Sequence, residues 1–182
     1  QARDFAQITG LTRLGIEKVP PIVARGIVLD MAAHYGVAHL AAGQAFTAED
    51  IKAVEKKQGT PIREGDVVLF HTGWTDAKLK SEPTTWASTA PGQSEGAARY
   101  MASKGVVAVG SDTWGLDVVP PEDPNRPYPG HLIYLKENGI YILETMNTGP
   151  LVRDQAFEFL FVLGQAKVRG AVQMIINPVA IR

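Results

Sequence analysis

The chain has 182 residues, 45% hydrophobic and 20% charged, with no Cys; that is an ordinary globular composition, long enough for one sizeable core and closed to disulfides and thiolate ligands. Eighteen basic against nineteen acidic residues leave a net charge of -1 with no long block of either sign, so neither a phosphate-tracking surface nor a nucleic-acid partner is expected. No apolar run reaches the length of a membrane span and no signal-peptide pattern opens these residues, so a cytoplasmic protein without a membrane partner is expected.

The stretch Ala2 to Gly10 reads as mid-domain, and the chain is expected to lack a piece at its front. Pro20 to Asp30 reads as a strand, with a Pro-Pro entry, β-branched residues and an acid at its end. His34 to Gln44 is polar and rich in Ala and Gly, a predicted loop in which His34 and His39 are solvated. Thr47 and Asp50 form a capping box in front of a helix over about 48–58, which Gly59 stops. Arg63 to Asp66 turn into the strand Val67 to Phe70, which runs out at His71-Thr-Gly-Trp74. Residues 75–92 have no periodicity and read as a long loop. Ser94 opens a second helix that Gly105 closes. Val106 to Gly110 is continuously apolar, as in a strand buried on both faces. A Pro-rich loop over 120–129 follows. Pro129 and Gly130 then start a helix, with His131 in its first turn and Gly139 as its stop. Ile140 to Glu144 is a short apolar strand ending on an acid, and 157–163 and 170–176 are strand-like. Strands alternating with helices predict an α/β fold in a single domain over 1–182.

The imidazole of His131 and the carboxylate of Glu144 are the leading candidates for chemistry. A helix N-terminus disfavours added positive charge, so His131 is expected to be neutral and able to donate a lone pair. A carboxylate at the end of an apolar strand needs a cation, a hydrogen-bonding cage or a proton. One metal ion would satisfy both, and without thiolates it would be Zn, Mn or a similar ion. The plainer alternative is a His bonded to a nearby carbonyl and a Glu paired with an Arg. Asp112 and Asp117 flank Trp114 on the loop leaving the most apolar strand, where α/β proteins build sites. Asp112 and Trp114 are therefore candidates for binding substrate, against a turn cap and a ring covering the core edge. His71 reads as a hydrogen-bonded turn residue. Gly92-Gln-Ser94-Glu-Gly96 spells a nucleophile elbow, but no strand precedes it, so Ser94 is read as a helix N-cap.

Taken together, Val19 to Asp30, Arg63 to Trp74, Pro91-Gly92, Gly110 to Trp114, His131, Gly139-Ile140, Glu144 and Asn177 to Ile181 resemble the putative cyclase family. Bacterial kynurenine formamidase and isatin hydrolase belong to that family. The resemblance runs nearly the whole length in the right order. It implies a swivelling β/β/α fold with a mixed sheet and flanking helices. It also implies a Zn- or Mn-dependent hydrolase of amide-type C–N bonds in arylformamide or cyclic amide substrates, acting as a homodimer or larger homo-oligomer on a small molecule. By the same resemblance, His131 and Glu144 are metal-centre and catalytic residues, and the Asp112 to Trp114 loop lies near the substrate.

The family's metal motif, H-x-G-T-H-x-D-x-P-x-H or a close variant, does not occur in these residues. In the family it lies upstream of the segment matching Gly10 to Glu17 and supplies most of the ligands. Two readings stand beside the hydrolase: an inactive or binding-only member of the same fold, and a serine hydrolase using Ser94 with Asp112 or Asp117 and His131.

Overall fold

The computed structural model describes residues 4–182, so the start of the Ala2 to Gly10 stretch lies outside the described residues. In chain order the elements are β1 (Ala6–Gln7), β2 (Gly10–Leu11), β3 (Ile22–Asp30), α1 (Met31–His34), β4 (Ala45–Phe46), α2 (Ala48–Gln58), β5 (Val67–His71) and α3 (Trp74–Lys78). There follow α4 (Pro83–Ser88), β6 (Gly92–Gln93), α5 (Glu95–Ser103), β7 (Ala108–Ser111), α6 (Pro129–His131), β8 (Tyr141–Leu143), α7 (Gly149–Arg153), β9 (Glu158–Leu163) and β10 (Val179–Ile181). Between α6 and β8 the chain forms a π-helical segment, Leu132–Asn138.

Two compact units are present, one of Arg25–Phe159 and one formed by the stretches Gln1–Ala24 and Leu160–Arg182. In the larger unit β3, β5, β7 and β8 lie side by side, all parallel, in that order. Each new strand is added on the same side of the last. Right-handed crossovers then put the connecting helices on one face of the sheet, and α2, α5 and the π-helical segment pack against one another as that layer. The core lies between: Ile27 and Leu29 of β3, Val68 and Phe70 of β5 and Val109 of β7 meet Ile51, Val54, Ala97, Met101 and Tyr134. Val28, Val67, Leu69 and Ala108, which alternate with those strand residues, are also 0–2% exposed. The sheet is thus buried on both sides, as its unbroken apolar runs demand. Fully burying one such side chain contributes about 1.5–3 kcal/mol relative to leaving it in water. A small parallel pair, β4 with β6, sits apart from the main sheet and ties Phe46 to Gln93.

The smaller unit contains the β1–β2 hairpin and the antiparallel pair β9–β10, in which Val162 faces Val179 and Leu160 faces Ile181. Parallel and antiparallel strands with flanking helices make the fold α/β with mixed pairing, as the sequence implies.

Two expected elements differ. The 75–92 loop contains α3 and α4; their few residues are too short to show helical periodicity, and Pro83 at the first helical position starts α4. The 170–176 stretch is not a strand. Val172 and Ile175 are 74% and 95% exposed there, and the strand forms after Pro178, where β9 offers a pairing edge to Val179–Ile181.

Candidate functional site

Each of the four parallel strands ends at the same edge of the sheet on or beside an ionisable residue. Asp30 closes β3 in register with His71, which closes β5. Asp112 follows Ser111 at the end of β7, and Glu144 follows Leu143 at the end of β8. The carboxyl end of a parallel sheet is where α/β folds bind ligands.

His131 is brought to this edge by α6. Pro129 occupies the first helical position, Tyr128 precedes it in a left-handed conformation, and Gly139 at φ 66° ends the following π-helical segment. The imidazole lies between two carboxylates. Its Nδ1 is 2.8 Å from Asp117 Oδ2 and its Nε2 is 3.4 Å from Glu144 Oε1. Asp117 is 1% exposed, whereas the His131 and Glu144 side chains are about one third exposed. The hydrogen bond to Asp117, reinforced by that to Glu144, outweighs burial and raises the His131 pKa to about 9. Without an ion the ring therefore favours the charged form, unlike the neutral imidazole expected, and an ion held at Nε2 would take the place of that nitrogen's proton. The local helical start is only three residues long, and two adjacent carboxylates exceed the influence of a helix terminus.

Asp112 is 4% exposed, and its Oδ1 accepts from Thr72 N at 2.8 Å, Thr72 Oγ1 at 2.7 Å and Ser111 Oγ at 3.4 Å. Burial raises its pKa, although the neighbouring His71 and the bonds from Thr72 act the other way. Trp114 is half-buried, and its Nε1 donates to Trp86 O at 2.7 Å. Trp86 in turn donates to Thr75 Oγ1, which donates to the Asp112 carbonyl. The segment after β8 is laced to the same loop by Thr145 N to Thr113 O and Met146 N to Ser111 O. His71 is 8% exposed and hydrogen-bonded through Nδ1 to Thr148 Oγ1 at 2.8 Å, the bonded imidazole expected of it. His34 and His39 are not simply solvated: His34 Nε2 is 2.9 Å from Asp50 Oδ1, and His39 Nδ1 is 2.8 Å from Leu40 O.

Ser94 caps α5, its Oγ accepting from Ala97 N at 3.1 Å, as expected, although a two-residue strand, β6, does precede it, contrary to the reading of its context. Of the residues expected at the site, His131 and Glu144 come together directly, while Asp112 and Trp114 are joined through the Thr75–Trp86 chain. The partner of His131 that the metal reading leaves out is Asp117, one of the two acids that the serine reading sets beside it. It lies fourteen positions upstream in an irregular loop, so no periodicity signals the pairing.

Two ligands roughly 2.0–2.2 Å from one ion are separated by roughly 3–3.5 Å at tetrahedral or octahedral angles, and the 3.4 Å between Nε2 and Oε1 falls in that range. The pair therefore fits two positions of a metal centre, with a positive charge already favoured between them. Among the described residues no group of three or more His, Asp or Glu converges to hold an ion, so these two are a partial set.

A solved structure of a novel cyclase superposes with a TM-score of 0.82 at 26% identity, over 96% of this chain and 59% of that one. An isatin hydrolase bound to the product analogue thioisatinate gives 0.72 at 22% identity, over 87% and 60%. A potential metal-dependent hydrolase with cyclase activity gives 0.59 at 21%, over 87% and 65%. The chain thus spans about three fifths of the length of the first two structures. No curated protein matches it. The sequence profile of the family described as Putative cyclase matches residues 6–118, more than half of the chain, and the chain belongs to that family.

Proposed function

We propose that the whole protein is a metal-dependent hydrolase of amide-type C–N bonds, with arylformamides or cyclic amides as the substrate class. The observation that carries this reading is the 3.4 Å approach of His131 Nε2 and Glu144 Oε1 at the carboxyl edge of the sheet. Solved relatives described as isatin hydrolase and metal-dependent hydrolase support it by sharing the fold. His131 and Glu144 would hold Zn or Mn in part, with the remaining ligands supplied from outside the described residues. When bound, such an ion polarises a carbonyl and lowers the pKa of a bound water.

This chain's own residues have separate tasks in that reading. The imidazole offers one nitrogen outward while the other is held by a buried acid. Glu144 supplies an oxygen from the end of β8, on a rigid strand. Trp114 presents a flat ring whose orientation is fixed through Trp86, suited to stacking on an aromatic substrate, and Asp112 anchors the strand-end loops beneath it. A homo-oligomeric, cytoplasmic enzyme acting on a small molecule completes the proposal. Among the described residues no helix is long and apolar enough to cross a membrane.

In the whole protein, Glu144→Gln keeps the shape but removes the anionic oxygen. Bound metal, measured by elemental analysis, and amide turnover are expected to fall together, turnover by at least tenfold. Full retention of both would reject the assignment.

An inactive or binding-only member of the fold remains the second reading, favoured by the partial ligand set. The same analysis decides it: stoichiometric Zn or Mn in the purified whole protein supports the enzyme. The serine alternative loses ground because Ser94 Oγ is engaged as a helix cap.

A further inference from the structure

The carboxylate of Asp117 is held by more than the imidazole it faces. Its Oδ1 accepts from Gly130 N at 2.9 Å, and its Oδ2 accepts from His131 N at 3.3 Å and lies 2.8 Å from His131 Nδ1. The backbone beneath it is tied down as well. Gln93 N donates to Leu116 O and Val118 N donates to Gln93 O, so Asp117 is clasped on both sides by one residue of β6. The acid is therefore fixed in place and in rotation before His131 is considered.

Gly130 is the condition for that approach. A Cβ there would lie 2.4 Å from Asp117 Oδ1 and 2.4 Å from Gln93 Nε2, closer than carbon and oxygen or nitrogen can come. Only glycine allows the first turn of α6 to settle onto this carboxylate. The sequence Gly130-His131 thus couples a missing side chain to an imidazole aimed at an acid.

We infer that Asp117 is a positioning residue for His131: it accepts the Nδ1 proton and so leaves Nε2 as the nitrogen presented to Glu144. The inference rests on the reading of His131 as a metal ligand and deepens it. A ring free to turn or to change tautomer would offer the wrong nitrogen for part of the time. Carboxylates that hold a ligating imidazole in this way commonly account for 10–100-fold in metal affinity. Asparagine cannot replace Asp117 without loss. Both oxygens already face donors, so the amide NH2 must confront either Gly130 N–H or the imidazole.

The test uses the whole protein and Zn2+ as probe. In the wild type, long-range 1H–15N spectra are expected to show a slowly exchanging His131 Nδ1–H and, with Zn2+ added, ligation through Nε2. Asp117→Asn is expected to lose the protected Nδ1–H and to weaken Zn2+ binding 10–100-fold by chelator competition, with backbone resonances outside 115–132 unchanged. Gly130→Ala, which crowds the acid without removing it, is expected to weaken Zn2+ in the same direction. Wild-type ligation through Nδ1 would overturn the inference even if neither variant folds. Zn2+ affinity within twofold of wild type in Asp117→Asn would also overturn it. His131→Ala separates the two ideas: unchanged Zn2+ binding there removes the metal reading itself, whereas lost binding with a neutral Asp117→Asn removes only the positioning role.

Discussion

At Asp50 one carboxylate serves two purposes. Burial pushes its pKa up, but bonds from the Thr47 hydroxyl and backbone, from His34 and from Tyr35 pull it down to about 2. A carboxylate depressed in the folded state contributes stability that is present above its unfolded pKa, near 4. That contribution is lost as pH falls through about 2. Denaturant titrations of wild type and Asp50→Asn should therefore differ most above pH 4, and the difference should shrink steadily toward pH 2. A constant difference across that range would show that the ionised form has no preferred partner in the fold. Residues such as Thr47 and Asp50 are readable in sequence because their partners lie within one helical turn. The His131–Asp117 pair is not, because a loop and the whole of α6's approach intervene, and only the fold brings the acid under the ring.

Element boundaries were legible where a local motif sets them. The α2 capping box is present with both reciprocal bonds, and Gly59 ends the helix in a left-handed conformation at φ 69°. Ser94 caps α5, and Gly139 stops the π-helical segment as its place in the sequence predicts. What escaped were elements made by their surroundings. The two-residue strands β4 and β6 are made by pairing with each other and, at Gln93, with Asp117, and α3 and α4 run for less than two turns with no apolar stripe of their own. The capping box permits a direct test. Thr47→Ala removes the side-chain acceptor for Asp50 N and should cost about 1 kcal/mol in urea unfolding, with an unchanged slope. Thr47→Ser should recover most of that loss.

For the whole molecule, the parallel sheet of the larger unit was the most predictable part, because strands buried on both faces leave continuous apolar runs in the sequence. Val67 to His71 are all buried, as are Ala108 to Ser111. Leu29 is 0% exposed in the core between sheet and helices. Leu29→Ala is expected to lower unfolding free energy by about 2–5 kcal/mol, read from the denaturation midpoint. A loss below about 1 kcal/mol would mean that the layers close over the gap. The site was less legible than the sheet. Sequence locates where strands end, but which terminal groups face one another depends on crossover handedness and on loops without pattern.

The row of Asp30, His71, Asp112 and Glu144 has a consequence for how such a protein diversifies. Each group is moored to the last or next position of a parallel strand, so its location is inherited from the scaffold rather than from the connecting segments. Residues 75–91 are then at liberty to change length and composition, altering which molecules gain admission while these strand-end groups, and the loop that carries Asp117, keep their address. Grafting a foreign 75–91 segment onto this frame should redirect selectivity and leave ion affinity where it was.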